Sequence, residues 1–347
     1  MKIGLLTYHY SDSYGATLQT YATIVALMKL GHEVEIIDLR LEKKESLLHK
    51  VIFWKRNTAF KKLWQKIYPK VSVNYPSHEV LKAASIKYDW IIVGSDQTWN
   101  PRISGNNVFA YFLDFGGENI KRLSYASSFG FSSWNTHYEN LAPKIKLLLH
   151  SFDAVSVREK TGKDILKNKF DIDSEVVLDP TLLLEQEDYM KITGKIKQTN
   201  NFVTFLMHRS DSQLQKVLEL GRVLGKKPNM MSSIFPFKGY TYNYPPSVEN
   251  WLKKIGGAKF VVTDSFHGLV FSILYKKNFI VITPDIGLNS RIVDLLETIG
   301  LSERYFLDTD DIPYEKIISS PIDYTEVYNK LEYEKRNSWS FLVNNLN

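Results

Sequence analysis

Lys259-Phe260-Val261-Val262-Thr263-Asp264-Ser265-Phe266-His267-Gly268-Leu269 reads as an apolar strand that ends in a polar corner and turns at once into a helix. A helix that starts this way aims its free N–H groups and positive dipole end at the space beyond the strand, and both favour an anion. Ser265 is placed to cap the helix, Gly268 to let backbone approach a ligand, and His267 to project from the first turn. A histidine there donates to a phosphate or carboxylate, or acts as a general acid. The same residues equally describe a plain capped helix, with Asp264 and Ser265 as caps and His267 packed beneath it.

The flanking sequence repeats the alternation. Upstream lie a strand over 202–207, a helix over 213–223, a strand near Met230 and a helix over 248–254. Downstream follow helix 267–275, strand 279–282 and helix 290–299. The N-terminal half opens with strand 3–7, a polar loop, helix 16–29, Gly31 and strand 34–38, the start of a parallel βαβ unit. Further strands are expected at 90–94, from 124, at 154–157 and at 175–178. Polar residues crowd 185–201, the expected linker. A chain of 347 residues accommodates two domains. The expected fold is α/β, with a Rossmann-like domain over 1–190, a second over 200–315 and a helical, polar tail over 316–347. Two such domains imply a cleft lined by loops at the carboxyl ends of strands.

Composition narrows the function classes. Hydrophobic residues make up 44% and charged residues 24%, which suits a globular protein. There is no cysteine, which excludes a disulfide scaffold and a Cys-ligated metal. The first apolar run is broken by His9 and Asp12 and lacks a cleavage region, so it reads as a buried strand and not a signal peptide. No apolar stretch reaches the length of a membrane span. A cytoplasmic location is expected. The net charge of +6 is local: 43–70 holds nine basic residues and one acid, Glu45. Phe53, Trp54, Phe60, Trp64 and Tyr68 interleave with those lysines. Such a segment either lies on the anionic inner face of a membrane or packs its aromatics inward and leaves the lysines solvated. No nucleic-acid motif accompanies it, and nucleic acid is not an expected partner.

Two more strand ends carry chemistry. In Ser156-Val157-Arg158-Glu159-Lys160-Thr161-Gly162 a strand closes on Arg158, whose planar fork matches a carboxylate or phosphate, or pairs with a nearby acid. In Val93-Gly94-Ser95-Asp96-Gln97-Thr98-Trp99-Asn100-Pro101 a buried strand opens into a carboxylate, two hydroxyls and two amides. Asp96 has the chemistry of a base for a sugar hydroxyl and Trp99 that of a stacking face for a sugar ring. Equally, Asp96 caps a turn and Trp99 fills a core.

With the loop Tyr14-Gly15-Ala16-Thr17-Leu18-Gln19 and the step Leu178-Asp179-Pro180-Thr181, these corners resemble the polysaccharide pyruvyl transferase family over roughly residues 3 to 300. Five motifs stand in the family's order at similar spacing. The resemblance implies a glycosyltransferase-B-like pair of Rossmann-type domains, the first on the acceptor side and the second on the donor side. It implies phosphoenolpyruvate as donor and co-substrate, with no cofactor and no metal. The acceptor would be a carbohydrate, either a polysaccharide or a lipid-linked oligosaccharide, and the product a cyclic pyruvate ketal. By position His267 is the general acid or phosphate anchor, Arg158 the anion clamp and Asp96 the base. Ser95, Trp99, Gly15, Gln19, Asp264, Ser265, Gly268 and Arg291 are the further substrate-binding positions. A donor with about three negative charges near neutral pH needs such cationic and helix-end groups.

One departure stands out. Some members carry arginine-leucine-histidine where this chain has Ser265-Phe266-His267, and Arg291 and Lys277 are the candidates for the missing charge. The alternative on the same fold is a glycosyltransferase using a nucleotide sugar, although no pair of carboxylates for a ribose is evident. A non-catalytic sugar or phosphate binder is the third reading. Asp308-Thr309-Asp310 matches a metal pattern but reads as a turn. His9, His32 and His208 stand on separate elements, and Gly256-Gly257 reads as a helix stop.

Overall fold

The computed structural model describes residues 1–40, 51–284 and 289–346. Lys43, Lys44, Glu45 and Lys50 of the basic run lie outside them. The chain divides into two compact units, one of Met1–Asn57, Lys61–Leu184 and Glu334–Asn347, the other of Thr58–Phe60 and Glu185–Tyr333.

In unit 1 the strands are β1 (Lys2–Leu6), β2 (Glu33–Leu39), β3 (Val71–Tyr75), β4 (Trp90–Val93), β5 (Lys121–Ser127), β6 (Ala154–Val157) and β7 (Glu175–Val176). They form one parallel sheet in the order β3-β2-β1-β4-β5-β6-β7. Trp90-Ile91-Ile92-Val93 is buried at every position, as a parallel strand covered on both faces requires. The first crossover helix, Tyr14–Lys29, is capped by the Ser13 hydroxyl and buried on nearly all sides. Gly31, at φ +85°, turns the chain from this helix into β2. From Glu334 the last helix, Tyr324–Asn345, belongs with unit 1. There Phe341 packs on Tyr125, and Ser338 accepts a hydrogen bond from the Leu178 amide.

Within the basic segment, the described residues include the helix Trp54–Ile67. Trp64 is buried and donates its indole N–H to Thr17, and Tyr68 is buried and donates to the His9 carbonyl. Phe60 is buried as well, while Lys61, Lys62 and Lys66 face solvent. The aromatics thus serve the interior, and among them only Trp54 is largely exposed.

Unit 2 holds β8 (Phe202–Phe205), β9 (Asn229–Met230), β10 (Thr241–Tyr242), β11 (Phe260–Thr263), β12 (Asn278–Thr283) and β13 (Tyr305–Leu307). They form a second parallel sheet in the order β10-β9-β8-β11-β12-β13. Its core gathers Phe202, Val217, Leu220, Val262, Ile280 and Ile282. Residues 185–201, expected as a linker, instead contain the helix Gln186–Thr193, started by a Glu185–Asp188 capping box. Its inward face carries Tyr189, edge-on to Phe271, so the polar composition belongs to the solvent side of an amphipathic helix.

Both sheets are doubly wound, and each reverses its strand order once. The reversal lies between β1 and β4 in unit 1 and between β8 and β11 in unit 2. In such sheets ligands bind outside the carboxyl ends of the strands at the reversal. The loop after β1 and the Asp96 corner flank the first reversal. The loop after β8 and the Asp264 corner flank the second.

Candidate active site

At the unit 1 reversal the side chains lock into one another. Thr7 donates to the Ser95 carbonyl at 3.0 Å, and Gln19 donates to the Thr7 hydroxyl at 2.9 Å and the Ala16 carbonyl at 3.1 Å. Gln19 is fully buried, and through its Nε2 it ties the first helix to the strand end. Gly15 is buried in the first turn of that helix. Ser95 donates to Asp179 at 2.8 Å, and Arg158 pairs with the same carboxylate at 2.9 Å. Thr181 caps the other Asp179 oxygen through its amide and its hydroxyl. Glu159, also buried, accepts from Ser128 and lies 3.6 Å from the Arg158 guanidinium. Burial opposes the charge on Arg158, but Asp179, Glu159 and Asp96 outweigh it and raise its pKa. Arg158, expected as an anion clamp, is set here as the cation of a buried ion pair that braces the corner. Asp179, in the Leu-Asp-Pro-Thr step, is the counter-charge that a desolvated guanidinium requires.

Asp96 sits on this brace in an unusual conformation. Its φ is +82°, its carbonyl accepts from Ser128 at 3.0 Å, and its carboxylate accepts from the Gln97 amide at 2.8 Å. A non-glycine residue held in the left-handed region is strained, and such positions cluster at functional sites. Its side chain remains half-buried. Trp99 corrects the expectation of a sugar-stacking face. It is fully buried, stacked on Phe112 at 5.4 Å, with its indole N–H bonded to the Tyr111 carbonyl at 2.9 Å. An indole that fills the core between Phe112 and Phe129 has no face left for a sugar.

Beside this corner His9 is buried between two acceptors, the Thr7 carbonyl at 3.2 Å and Asp38 at 3.0 Å. Arg40 grips Asp38 with two nitrogens and lies over the Tyr10 ring. Burial would raise the Asp38 pKa, but hydrogen bonds from His9 and Arg40 hold it far below the ordinary value.

At the unit 2 reversal Asp264 organises the corner. Its side chain is fully buried and accepts from the Met207 amide at 2.6 Å, the His208 amide at 2.9 Å and Gln213 at 3.2 Å. It also accepts from His208 Nδ1 at 3.0 Å. Asp264 was expected to meet substrate, but its oxygens are spent on the loop after β8. The pairing instead singles out His208, which sequence reasoning set aside as a lone strand-end histidine. Its signal was legible: the strand order of a doubly wound domain makes the ends of β8 and β11 neighbours. Contact with the Asp264 carboxylate raises the His208 pKa despite partial burial and the nearby Arg209.

Ser265 caps the helix Phe266–Leu274 by accepting from the Gly268 amide at 3.4 Å, as a cap should. His267 is 8% exposed and packs edge-on against Phe266. Gly268 has a reason other than ligand approach. A Cβ there would stand 2.3 Å from the Thr263 hydroxyl, so its role is close helix–strand packing. Lys277 does not supply the missing charge. It precedes β12 at the amino edge of the sheet, and its Nζ donates to Gln198 at 2.8 Å. Arg291 stands in the first turn of the helix Ser290–Ile299, beyond the carboxyl end of β12 and so on the same sheet edge as the corner. Asp308 and Asp310 behave as turn and cap residues, accepting from Ser210 and from the Leu307 amide.

The chain can now be set beside known proteins. The family model described as polysaccharide pyruvyl transferase matches residues 14–286. No curated protein matches the chain by sequence. Among solved structures it is similar to the UDP-GlcNAc 2-epimerase of Neisseria meningitidis, bound to UDP-GlcNAc, at 11% identity and a TM-score of 0.56. That match covers 100% of this chain and 99% of the other. It is similar to the UDP-GlcNAc 2-epimerase of Methanocaldococcus jannaschii at 14% identity and a TM-score of 0.54, covering 100% and 99%. At such identities the likeness shows the fold alone, two Rossmann-like units of glycosyltransferase-B-like type. Family and fold together support a sugar-modifying transferase.

Proposed function

Because the chain belongs to the polysaccharide pyruvyl transferase family and is an enzyme of that type, we propose that it forms a cyclic pyruvate ketal on a sugar. The donor is phosphoenolpyruvate, and the acceptor is a polysaccharide or a lipid-linked oligosaccharide precursor. The observation that carries this reading is the family match across 14–286, which takes in the Asp96, Arg158, Asp179 and Asp264–Gly268 motifs in order.

In this reading a proton adds to the methylene carbon of the enol and positive charge develops on the central carbon. One sugar hydroxyl bonds to that carbon as its proton leaves to a base. The carbon–oxygen bond to phosphate breaks with its electron pair, and a second hydroxyl of the same sugar closes the ketal with loss of its proton. His267 at the first turn of the helix Phe266–Leu274 serves as acid or phosphate anchor, supported by the helix dipole. Asp96 serves as base. Its half-buried carboxylate, on a strained corner, accepts from the Gln97 amide and lies in the field of the Arg158 guanidinium.

Thermal unfolding with phosphoenolpyruvate and, separately, with UDP-GlcNAc tests the donor. A ligand at 100 times its dissociation constant adds about 2.7 kcal/mol to stability. Stabilisation by phosphoenolpyruvate alone, lost in His267→Ala, is the expected result. Stabilisation by UDP-GlcNAc alone would replace the donor and turn the reading to a nucleotide-sugar glycosyltransferase.

A further inference from the structure

β8 and β11 are adjacent and parallel, with Phe205 level with Thr263, so residues just past their ends emerge side by side. Asp264 follows β11 directly and His208 lies three residues past β8. Because a carboxylate only accepts, the His208 nitrogen facing it, Nδ1, carries a proton. The tautomer and the ring plane are thereby set by a buried acid. Nε2 is the nitrogen left over, on a side chain 44% exposed, and among the described residues it has no hydrogen-bond partner. The loop that presents it is tightly held. His208 donates its own amide to Asp264, and Arg209, at φ +118°, donates its amide hydrogen to the Gln213 side-chain oxygen.

The charges around the ring favour one use. Asp264 stabilises the doubly protonated imidazole, and Arg209 opposes it. The Arg209 guanidinium is turned away to the Ser232 carbonyl. Among the described residues the other acids on this edge are Asp308, engaged by Ser210, Asp310, which accepts from the Leu307 amide, and Asp211, in the first turn of the helix Asp211–Val223. The amino end of the helix Phe266–Leu274 starts two residues after Asp264 and adds positive potential to the same edge.

We propose that His208, oriented by Asp264, is a binding site for a phosphate-type dianion through Nε2, and that Asp264 is its positioning residue. The identification of that dianion as the phosphoryl group of phosphoenolpyruvate rests on the reading above. His208 then provides a cation at the corner where Ser265 offers none.

Calorimetric titration with phosphoenolpyruvate and with sulfate, at pH 6 and pH 8, separates the two claims. Sulfate does not titrate in this range, so any pH dependence of its binding belongs to the protein. The wild type is expected to bind both more tightly at pH 6. His208→Gln is expected to bind both about tenfold or more weakly at pH 6, since a charge-assisted hydrogen bond is lost, and to show little pH dependence for sulfate. Asp264→Asn is expected to lower the pH at which wild-type affinity fades. If that variant is misfolded by circular dichroism, the half-exposed His208→Gln decides alone. Binding of both anions to His208→Gln with wild-type affinity and pH profile overturns the proposal and leaves the donor reading intact. His208-dependent binding of sulfate without any binding of phosphoenolpyruvate keeps the anion site and removes the donor reading. Failure of the wild type to bind either anion overturns both.

Discussion

Gly268→Ala separates the packing account of this corner from ordinary helix behaviour. In a helix, replacing glycine by alanine stabilises by about 1 kcal/mol, because glycine loses more backbone entropy. Gly268 has no left-handed φ, so backbone strain does not reverse that sign. What reverses it is Thr263. The new methyl would stand 2.3 Å from the Thr263 hydroxyl and 3.0 Å from its Cβ. That hydroxyl is buried, donates to the Phe205 carbonyl at 2.7 Å and accepts from the Ser265 amide at 3.0 Å. Moving it strains a packed core, at about 1–3 kcal/mol. It also breaks at least one buried hydrogen bond, at about 1–3 kcal/mol more. Set against the helix gain, a net loss of about 1–5 kcal/mol is expected. Urea unfolding followed by tryptophan fluorescence measures it, with Thr263→Ala and the double variant closing a cycle. The double variant should be far less destabilised than the two single changes added together. Stabilisation by Gly268→Ala, or strict additivity in the cycle, would refute the packing argument.

Arg158→Met leaves Asp179 buried without its counter-charge and should cost about 3–5 kcal/mol in chemical unfolding, whereas Arg158→Met with Asp179→Leu should recover most of that loss. Asp38 has a folded pKa depressed by His9 and Arg40, so its contribution to stability is full above the ordinary aspartate value and fades as pH falls below about 4. Asp38→Asn should therefore be less stable than wild type near neutrality, and the two should converge in acid unfolding. Asp96→Asn preserves the left-handed backbone, which asparagine tolerates, and should leave the midpoint of unfolding nearly unchanged. With phosphoenolpyruvate and a competent acceptor its turnover should fall by about 10²–10⁴ fold if Asp96 is the base, and near-normal phosphate release would remove that role.

Much of this protein is written locally. Apolar runs such as Trp90–Val93 and Phe260–Thr263 specify buried strands, and Ser13 and Ser265 announce the helices that follow them, because period and capping depend on residues a few positions apart. The motif order that places the chain in its family is equally a property of the sequence. Even the two strand ends of unit 2 could be paired on paper, since a doubly wound sheet has one reversal of order. Other features were settled only by packing. Nothing near Trp99 tells whether its indole meets a sugar or Phe112. Nothing near Arg158 tells that a carboxylate 21 residues on will claim it. His208 and Asp264 are 56 residues apart, and their contact exists because β8 and β11 share a sheet edge. The sequence by itself determined which side chains arrive at the strand ends. The tertiary structure decided which of them are spent on one another and which still face outward, because a buried charge takes the nearest partner that three-dimensional neighbours supply.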